Sequence, residues 1–457
     1  MSIKNLSKNS KKEILITAKF GGSSLSNKER ILNVKNIILS DRRRRFIVVS
    51  APGKDDQSNQ KITDTLYEIA KLVSLKKSFE KEWSKIVFRF SNIISSLRLE
   101  SRLSHLLPEV LSSIKKNPYI DFIVSRGEYM QAKVVAELLK SLGEKANFID
   151  AAEIIVFNAK GFLDYEKTQK AVNKKCSSKG IFIIPGFYGK TVDGKIKTFT
   201  RGGSDITGAL VAYALHTPLY ENWTDVSGFF TADPRIVKEA KTIKEMTYRE
   251  ARALSYAGST VLHEETVGHL IKGGITLVVR NTNDPKDSGT FILPSSPKSD
   301  KVTGIAGKKG FSIFTIEKTM TNEVVGFGRK LLEIFEKMQI SYDHEVTGID
   351  TTSIIVDQSK ISLDSNKYNE VIKNLISKIK KELQPDKITL TPDVGIIAVV
   401  SRSNYDSKAF VDLSNKLIKK NIKIIMQSME PTGQIIVAVP NDSFSSALKI
   451  IHNALFR

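Results

Sequence analysis

Two short runs of this sequence carry residue types suited to phosphoryl transfer. In "KFGGSS", Lys19 stands two positions before the pair Gly21 and Gly22. In "TRGGSD", Arg201 directly precedes Gly202 and Gly203, and Ser204 and Asp205 follow. Glycines let backbone N–H groups approach an anion closely, and a helix starting there adds its positive end. Lysine supplies a point charge, and arginine offers a planar fork that fits a carboxylate. Either run alone would serve as an ordinary strand-to-helix turn, with Ser204 or Asp205 as an N-cap. An arginine, two glycines and an acid together exceed what capping needs. Two such turns suit a polyphosphate donor and a carboxylate acceptor. Neither run has the spacing of G-x-x-x-x-G-K-[ST] or G-x-G-x-x-G.

Two more glycine-bearing loops are expected after strands: "VVSAPGK" and "VSRGE", the latter placing Glu128 in the first turn of a helix. In "NWTDVSGFFTADPRIV", Asp225 is expected to end a strand, where it could organise Mg²⁺, a lysine or a nucleotide. Asp233, Pro234 and Arg235 form a turn signal by themselves. "LHEETVGH" resembles H-E-x-x-H, but Val267 occupies the second histidine position and His269 comes two residues late. "DVSGFF" lacks the acidic spacing of an EF-hand. No metal site built from protein ligands is expected.

The elements that must position these residues follow from the apolar pattern. Over residues 13–295, short apolar runs ("EILITAKF", "RFIVVSA", "DFIVS", "GIFIIPGFYG", "LYENWT") alternate with amphipathic stretches. Apolar runs flanked by helices predict buried, mainly parallel strands in an α/β sandwich, with ligand groups at the strands' carboxyl ends. "PSSPKSDK" then reads as a linker. Beyond it, Phe335, Ile340 and Ile354 are spaced like Leu417, Ile422 and Ile436, each 82 residues on. Two small α+β modules are expected, over residues 303–385 and 390–457, with interleaving possible.

The 457 residues exceed one core, and the net charge is +21. Lysines are spread along the whole chain. The densest basic run, Arg42 to Arg45 in "DRRRRF", follows a helical stretch, where cations favour the helix C-terminus. No aromatics interleave with it to stack bases, so no nucleic-acid partner is expected. One cysteine, Cys176, excludes an internal disulfide and fits a reducing compartment. No apolar run approaches the ~20 residues that span a bilayer. A cytoplasmic protein with no membrane partner is expected.

The ordered motifs resemble those of the aspartate kinases, in the amino-acid kinase superfamily. "KFGGSS" is similar to the family's Lys-Phe-Gly-Gly-Thr-Ser, with Ser23 in place of threonine. "SRGEYMQA", "PGFYG", "TRGGSDITGAL", "WTDVSGFFTADPRI", "MTYREARALSYAGSTVLH" and "NTNDPKDSGTFI" match further blocks in family order. The resemblance covers nearly the whole chain, and the two C-terminal repeats look like the family's ACT modules. It implies ATP- and Mg²⁺-dependent phosphorylation of the L-aspartate side chain, the first step towards lysine, threonine and methionine. Lys19, Arg201 and Asp205 would then be catalytic. Lys19 with the amides of Gly21 and Gly22 would face the phosphates, and Ser23 would also bind ATP. Thr63, Glu128, Phe187, Arg201 and Ser204 would hold aspartate. Thr224, Asp225, Phe230, Arg235, Thr260 and Val261 would meet the nucleotide. Thr260 stands where lysine is usual, Glu264 where proline is usual, and Phe230 where tyrosine is common. Met320, Val325, Gly326, Asp343 and Thr347 match effector-lining segments, with lysine ranked ahead of threonine as effector. ACT modules of this family pair across subunits, which implies a homodimer or homotetramer.

Three other readings are weighed on residues alone. One is a kinase of the same fold acting on glutamate or a nucleotide. A second is a non-catalytic amino-acid sensor using only the repeats. A third is a basic nucleic-acid binder with salt-sensitive binding, which no recognition motif supports.

Overall fold

The computed structural model describes residues 14–55, 59–199, 202–259, 264–296, 302–362, 365–402, 407–430 and 434–456. The chain divides into two compact units. The first runs to Phe229 and adds 242–255 and the described residues of 260–297. The second takes Phe230–Lys241, Tyr256–Ser259 and the remainder.

The first unit is built on an eight-stranded sheet. Its strands are β1 (Ile16–Phe20), β2 (Arg44–Val49), β3 (Ala146–Phe148), β5 (Ile181–Pro185), β8 (Leu219–Thr224), β9 (Glu245–Thr247), β10 (Thr276–Asn281) and β11 (Thr290–Leu293). A second sheet of three short strands, β4 (Val156–Phe157), β6 (Tyr188–Thr191) and β7 (Ile196–Thr198), lies apart in the pairing. The large sheet has the order β3-β5-β2-β1-β8-β10-β11-β9, parallel except between β10 and β11. All five residues of β1 and of β5 are buried, Thr17 and Lys19 of β1 included, as strands covered on both faces require. From β1 the chain steps to β2 on one side, while β8 lies on the other. The β1/β8 border is therefore a topological switch point, where ligands of such sheets bind.

Helix α1 (Lys28–Leu39) is capped by Asn27, whose side chain accepts the Arg30 N–H at 3.0 Å. Helices α2 (Ile62–Ser74), α3 (Glu80–Ser96) and α4 (Ile120–Ser141) belong to the same unit, and their apolar faces join one core with β1 and β2. Helix α4 corrects the sequence reading. "DFIVS" is helical, so Glu128 lies in its third turn and not in a first turn after a strand. Ile123, Val124, Met130, Val134 and Leu138 are all buried along one helix. A short apolar run cannot by itself separate strand from buried helix.

The arginine run is consumed locally. Arg42 pairs with Glu144 (2.6 Å) and Arg43 with Asp41 (2.7 Å). Arg45 donates to the carbonyls of Ser178 and Gly180. Arg44 is buried against Glu221 (2.6 Å), which also accepts the Trp223 indole N–H (2.8 Å). It reaches the Ile37 carbonyl in the last turn of α1 as well, so one of the four arginines fulfils the helix-terminus expectation.

The second unit carries a six-stranded antiparallel sheet of β12 (Val302–Glu317), β13 (His344–Thr347), β14 (Thr351–Asp357), β15 (Lys387–Ser401), β16 (Met426–Glu430) and β17 (Gln434–Pro440). The order is β13-β14-β12-β15-β17-β16. The long central strands β12 and β15 pair along their whole length, Val302 opposite Ser401 and Glu317 opposite Lys387. Each therefore serves both α+β modules. The repeat is visible in the helix ends. Gln339 and Asn421 both take the left-handed conformation, and Ile340 and Ile422 bond back to the carbonyls of Phe335 and Leu417 (2.9 and 3.1 Å). In the strands the spacing slips. Ile354 lies in the first module's core, whereas Ile436 faces a different cluster and its neighbours Ile435 and Val437 fill the second core. A one-residue shift in a strand exchanges faces. Ala232 and Val237, from the Phe230–Lys241 excursion, are buried in that second core. Among the described residues no helix is long and apolar enough to cross a membrane.

Candidate active site

Lys19 sits at the switch point. It pairs in register with Asn222 of β8, and its side chain is 9% exposed. Nζ lies 2.6 Å from Asp205 Oδ1 and 3.4 Å from Asn222 Oδ1, and the Asn222 amide donates to the same Asp205 oxygen at 3.2 Å. A buried ammonium needs such partners. Asp205 stands in the first turn of α5 (Gly203–Ala214), whose N-cap is Gly202 with φ +67° and no side-chain cap. Asp205 is thus a partner of Lys19, and capping does not explain it. Sequence reasoning missed Asn222. Its signal was the polar pair Glu221 and Asn222 in the middle of a buried strand.

The two glycines of the first turn do different things. A Cβ on Gly22 would lie 2.6 Å from the Ala51 carbonyl and 3.2 Å from the Gly53 nitrogen, so only glycine fits. A Cβ on Gly21 would meet nothing closer than 3.6 Å. The Gly21 N–H is spent on the Trp223 carbonyl (3.0 Å), extending the β1–β8 ladder, which removes it from the expected set of phosphate donors. Gly22 and Ser23 open the turn that follows, and among the described residues their N–H groups have no acceptor.

Across that turn runs the loop from β2 to α2. Gly53 N–H bonds the Gly22 carbonyl at 2.8 Å, and the loop ends at the half-buried Thr63 in the first turn of α2. Beneath it, Gly127 lets α4 approach, since a Cβ there would lie 2.8 Å from that of Ala51. The next residue, Glu128, is buried, and burial pushes its carboxyl up to about 8. The Ala51 N–H bonds it and pulls the other way. Among the described residues its Oε2 has no partner, nor has either amide atom of Gln131 one turn on.

Phe187 and Ser204 close the opposite side. Phe187 holds a left-handed backbone (φ +79°), with its N–H on the Thr207 hydroxyl at 3.1 Å. A Cβ on Gly203 would meet its ring at 2.7 Å, and one on Gly186 would meet Ser204 Oγ at 2.5 Å. The strand ends therefore bring together Lys19, Gly22, Ser23, Asp205, Ser204 and Phe187, with Thr63 and Glu128 joined through the Ala51 loop. Thr224 ends β8 and Asp225 follows it, and Asp225 is exposed with the Thr224 hydroxyl 3.2 Å from it. Phe230 and Arg235 belong to the second unit, and Arg235 is turned onto its own neighbour Asp233 at 2.7 Å. Arg201, Thr260 and Val261 lie outside the described residues.

The expected effector residues separate. Met320, whose N–H bonds Asp350 Oδ1 (2.8 Å), and Thr347 flank the β13–β14 turn. Val325 is 96% exposed, and Gly326 (φ +79°) caps the helix α6 (Phe327–Lys337). Asp343 stands at the far end of β13, about 13 Å along the strand from Thr347. It is already held by Lys360 and the Asp357 N–H. His269, of the zinc-like motif, has its ring bonded to the Tyr165 hydroxyl at 3.0 Å, and burial lowers its pKa to about 4.

A sequence model of the amino acid kinase family matches residues 15–281. Bacillus subtilis aspartokinase 3 is 33% identical over 422 residues, covering 90% of this chain and 92% of its own. The crystal structure of Clostridium acetobutylicum aspartate kinase aligns with a TM-score of 0.86 at 38% identity, over 97% of this chain and 100% of that one. The E. coli aspartokinase III complex with lysine and aspartate shares the fold, with a TM-score of 0.80 at 22% identity over 97% and 100% of the two chains. With the family match spanning more than half its length and relatives this similar along nearly all of it, the chain belongs to the amino acid kinase family, on its aspartokinase branch.

Proposed function

We propose that this chain is an aspartate kinase, transferring the γ-phosphoryl group of ATP to the side-chain carboxylate of L-aspartate. A carboxylate oxygen attacks the γ-phosphorus, the bond to the β-phosphate oxygen breaks, and ADP and 4-phospho-L-aspartate result. The acceptor is already anionic, so the protein must position and neutralise, and it needs no strong base. Lys19, held by Asp205 and Asn222, neutralises charge on the transferring group. The Gly22 and Ser23 amides add donors to it. Glu128 receives the ammonium of aspartate, and Arg201 clamps a carboxylate. Thr63, Phe187 and Ser204 line the aspartate side. Thr224 and Asp225 meet the nucleotide.

Mg²⁺ carried on the nucleotide phosphates fits this donor set. Asp205 is committed to Lys19, and exposed Asp225 is an acidic side chain beside the end of β8, which suits an ion bound mostly through phosphates and water. When bound it would neutralise phosphate charge. The observation that carries the reading is the buried Glu128 carboxyl, its Oε2 without a partner among the described residues, tied through Ala51 to the turn that holds Gly22. A buried acid awaiting a cation, next to a phosphate turn, fits an amino-acid acceptor better than a nucleotide.

Purified protein with ATP, Mg²⁺, aspartate and hydroxylamine is expected to yield aspartyl hydroxamate. Product from glutamate and none from aspartate would refute the assignment. We further propose a cytoplasmic enzyme at the first step towards lysine, threonine and methionine, assembled as a homodimer or homotetramer through its ACT modules. Lysine, which binds E. coli aspartokinase III, is the leading effector ahead of threonine. Titrating each against activity tests the ranking.

A further inference from the structure

Three backbone carbonyls converge on one buried guanidinium. Arg89, on α3, donates from Nη1 to the Gln60 carbonyl at 2.8 Å. Its Nη2 donates to the carbonyls of Gly53 and, at 3.5 Å, Ser26. The Asp55 carboxylate lies 3.2 Å from the same nitrogen. The residue is 8% exposed. Its ties run to two separate segments. Ser26 ends the turn that begins at Gly22. Gly53 and Gln60 stand towards the two ends of the β2–α2 loop. That loop sets the Ala51 N–H on Glu128, packs the Ala51 carbonyl on Gly22, and delivers Thr63 at the start of α2. A planar fork with five donors can hold several carbonyls at once, whereas an ammonium on a flexible stem cannot fix their relative positions.

We infer that Arg89 is a positioning residue for phosphoryl transfer, clasping the acceptor-binding loop in register with the phosphate-binding turn. Its catalytic part rests on the aspartate kinase reading. Arg89 touches no reacting atom by its placement and acts through Gly53, Gln60 and Ser26. Misplacing a substrate-holding group by about 1 Å can lower turnover roughly a hundredfold. A cavity of about 820 Å³ opens beside it, lined among others by Ser26, Asp55, Gln60, Lys85, Phe88 and Arg89 itself. A small cation can therefore reach the vacated position in an Arg89→Ala variant.

The test uses the full chain as wild type, Arg89→Ala and Arg89→Lys. For Arg89→Ala, kcat/KM for aspartate is expected to fall by about a hundredfold. Hydrogen exchange is expected to quicken in residues 50–55, 59–62 and 21–26 while α4 stays protected. Guanidinium or ethylguanidinium, added below denaturing concentration, is expected to restore both readouts in part. Arg89→Lys keeps the charge and is expected to stay impaired. Unchanged exchange in those segments overturns the inference. So does a general loss of protection that added guanidinium does not reverse, because that marks a residue that only stabilises the fold. A wild type that makes no aspartyl hydroxamate defeats the kinase reading instead, and the exchange measurement then still decides whether Arg89 clasps the loop.

Discussion

Glu128→Gln separates a carboxyl held ready for an ammonium from one that is merely buried. The Glu128 carboxyl stands at about 8 in the folded chain against an ordinary 4.5. Below pH 4.5 it is protonated in both folded and unfolded states and contributes no difference. Between 4.5 and about 8 the unfolded chain has lost the proton and the folded chain keeps it, so stability falls as pH rises. Each pH unit in that window removes about 1.4 kcal/mol, and the whole window about 4–5 kcal/mol as an upper bound. Glutamine does not titrate in either state. The variant is therefore expected to match wild type near pH 5 and to exceed it by several kcal/mol at pH 8.5, read as the difference between paired urea unfolding curves. Aspartate reverses the sign locally, because its ammonium favours the carboxylate. Wild type at pH 7 is expected to release up to one proton on binding aspartate, measured by titration calorimetry in buffers of different ionisation enthalpy. The variant is expected to bind weakly and release none at this position. Parallel pH–stability curves, or binding without proton release in wild type, would refute the reasoning.

The remaining predictions concern groups whose geometry is equally definite. Lys19→Ala should lower turnover by about 10²–10³-fold while circular dichroism stays unchanged, since one charged donor to the transferring group is lost. Gly22→Ala places a methyl 2.6 Å from the Ala51 carbonyl and should destabilise by about 1–3 kcal/mol with reduced turnover, whereas Gly21→Ala should leave both melting temperature and rate nearly unchanged. Arg44→Ala leaves Glu221 buried, with Arg280 3.4 Å away as its remaining cation. It should destabilise by about 3–5 kcal/mol by urea unfolding, while Arg42→Ala should have no measurable effect.

Much of the fold was legible in the sequence because burial on both faces forces apolar runs. β1, β2, β5 and β8 stand where those runs stand. The reading failed where one pattern supports two structures. "DFIVS" is as apolar as a strand, and only the packing of Ile123 and Val124 within a 22-residue helix decides it. The 82-residue spacing follows the helices through Gln339 and Asn421, but the strands slip by one, so Ile436 faces away from the core that Ile354 occupies.

By itself the sequence determined which residues could meet a phosphate or an amino acid, since glycine, lysine and acid types at turns limit the chemistry before any folding. Only the tertiary structure decided how they are used. It spent the Gly21 N–H on a ladder, required glycine at position 22, and made Asp205 a partner of Lys19 through Asn222 from a strand some 200 residues away. It also turned Arg44 inward to a buried acid, in a run that read as cations at a helix C-terminus. The reason is physical. Residue type sets what a group can do, while desolvation, a carbonyl's distance and the partner across a parallel ladder set what it does, and those depend on contacts between segments far apart in the chain.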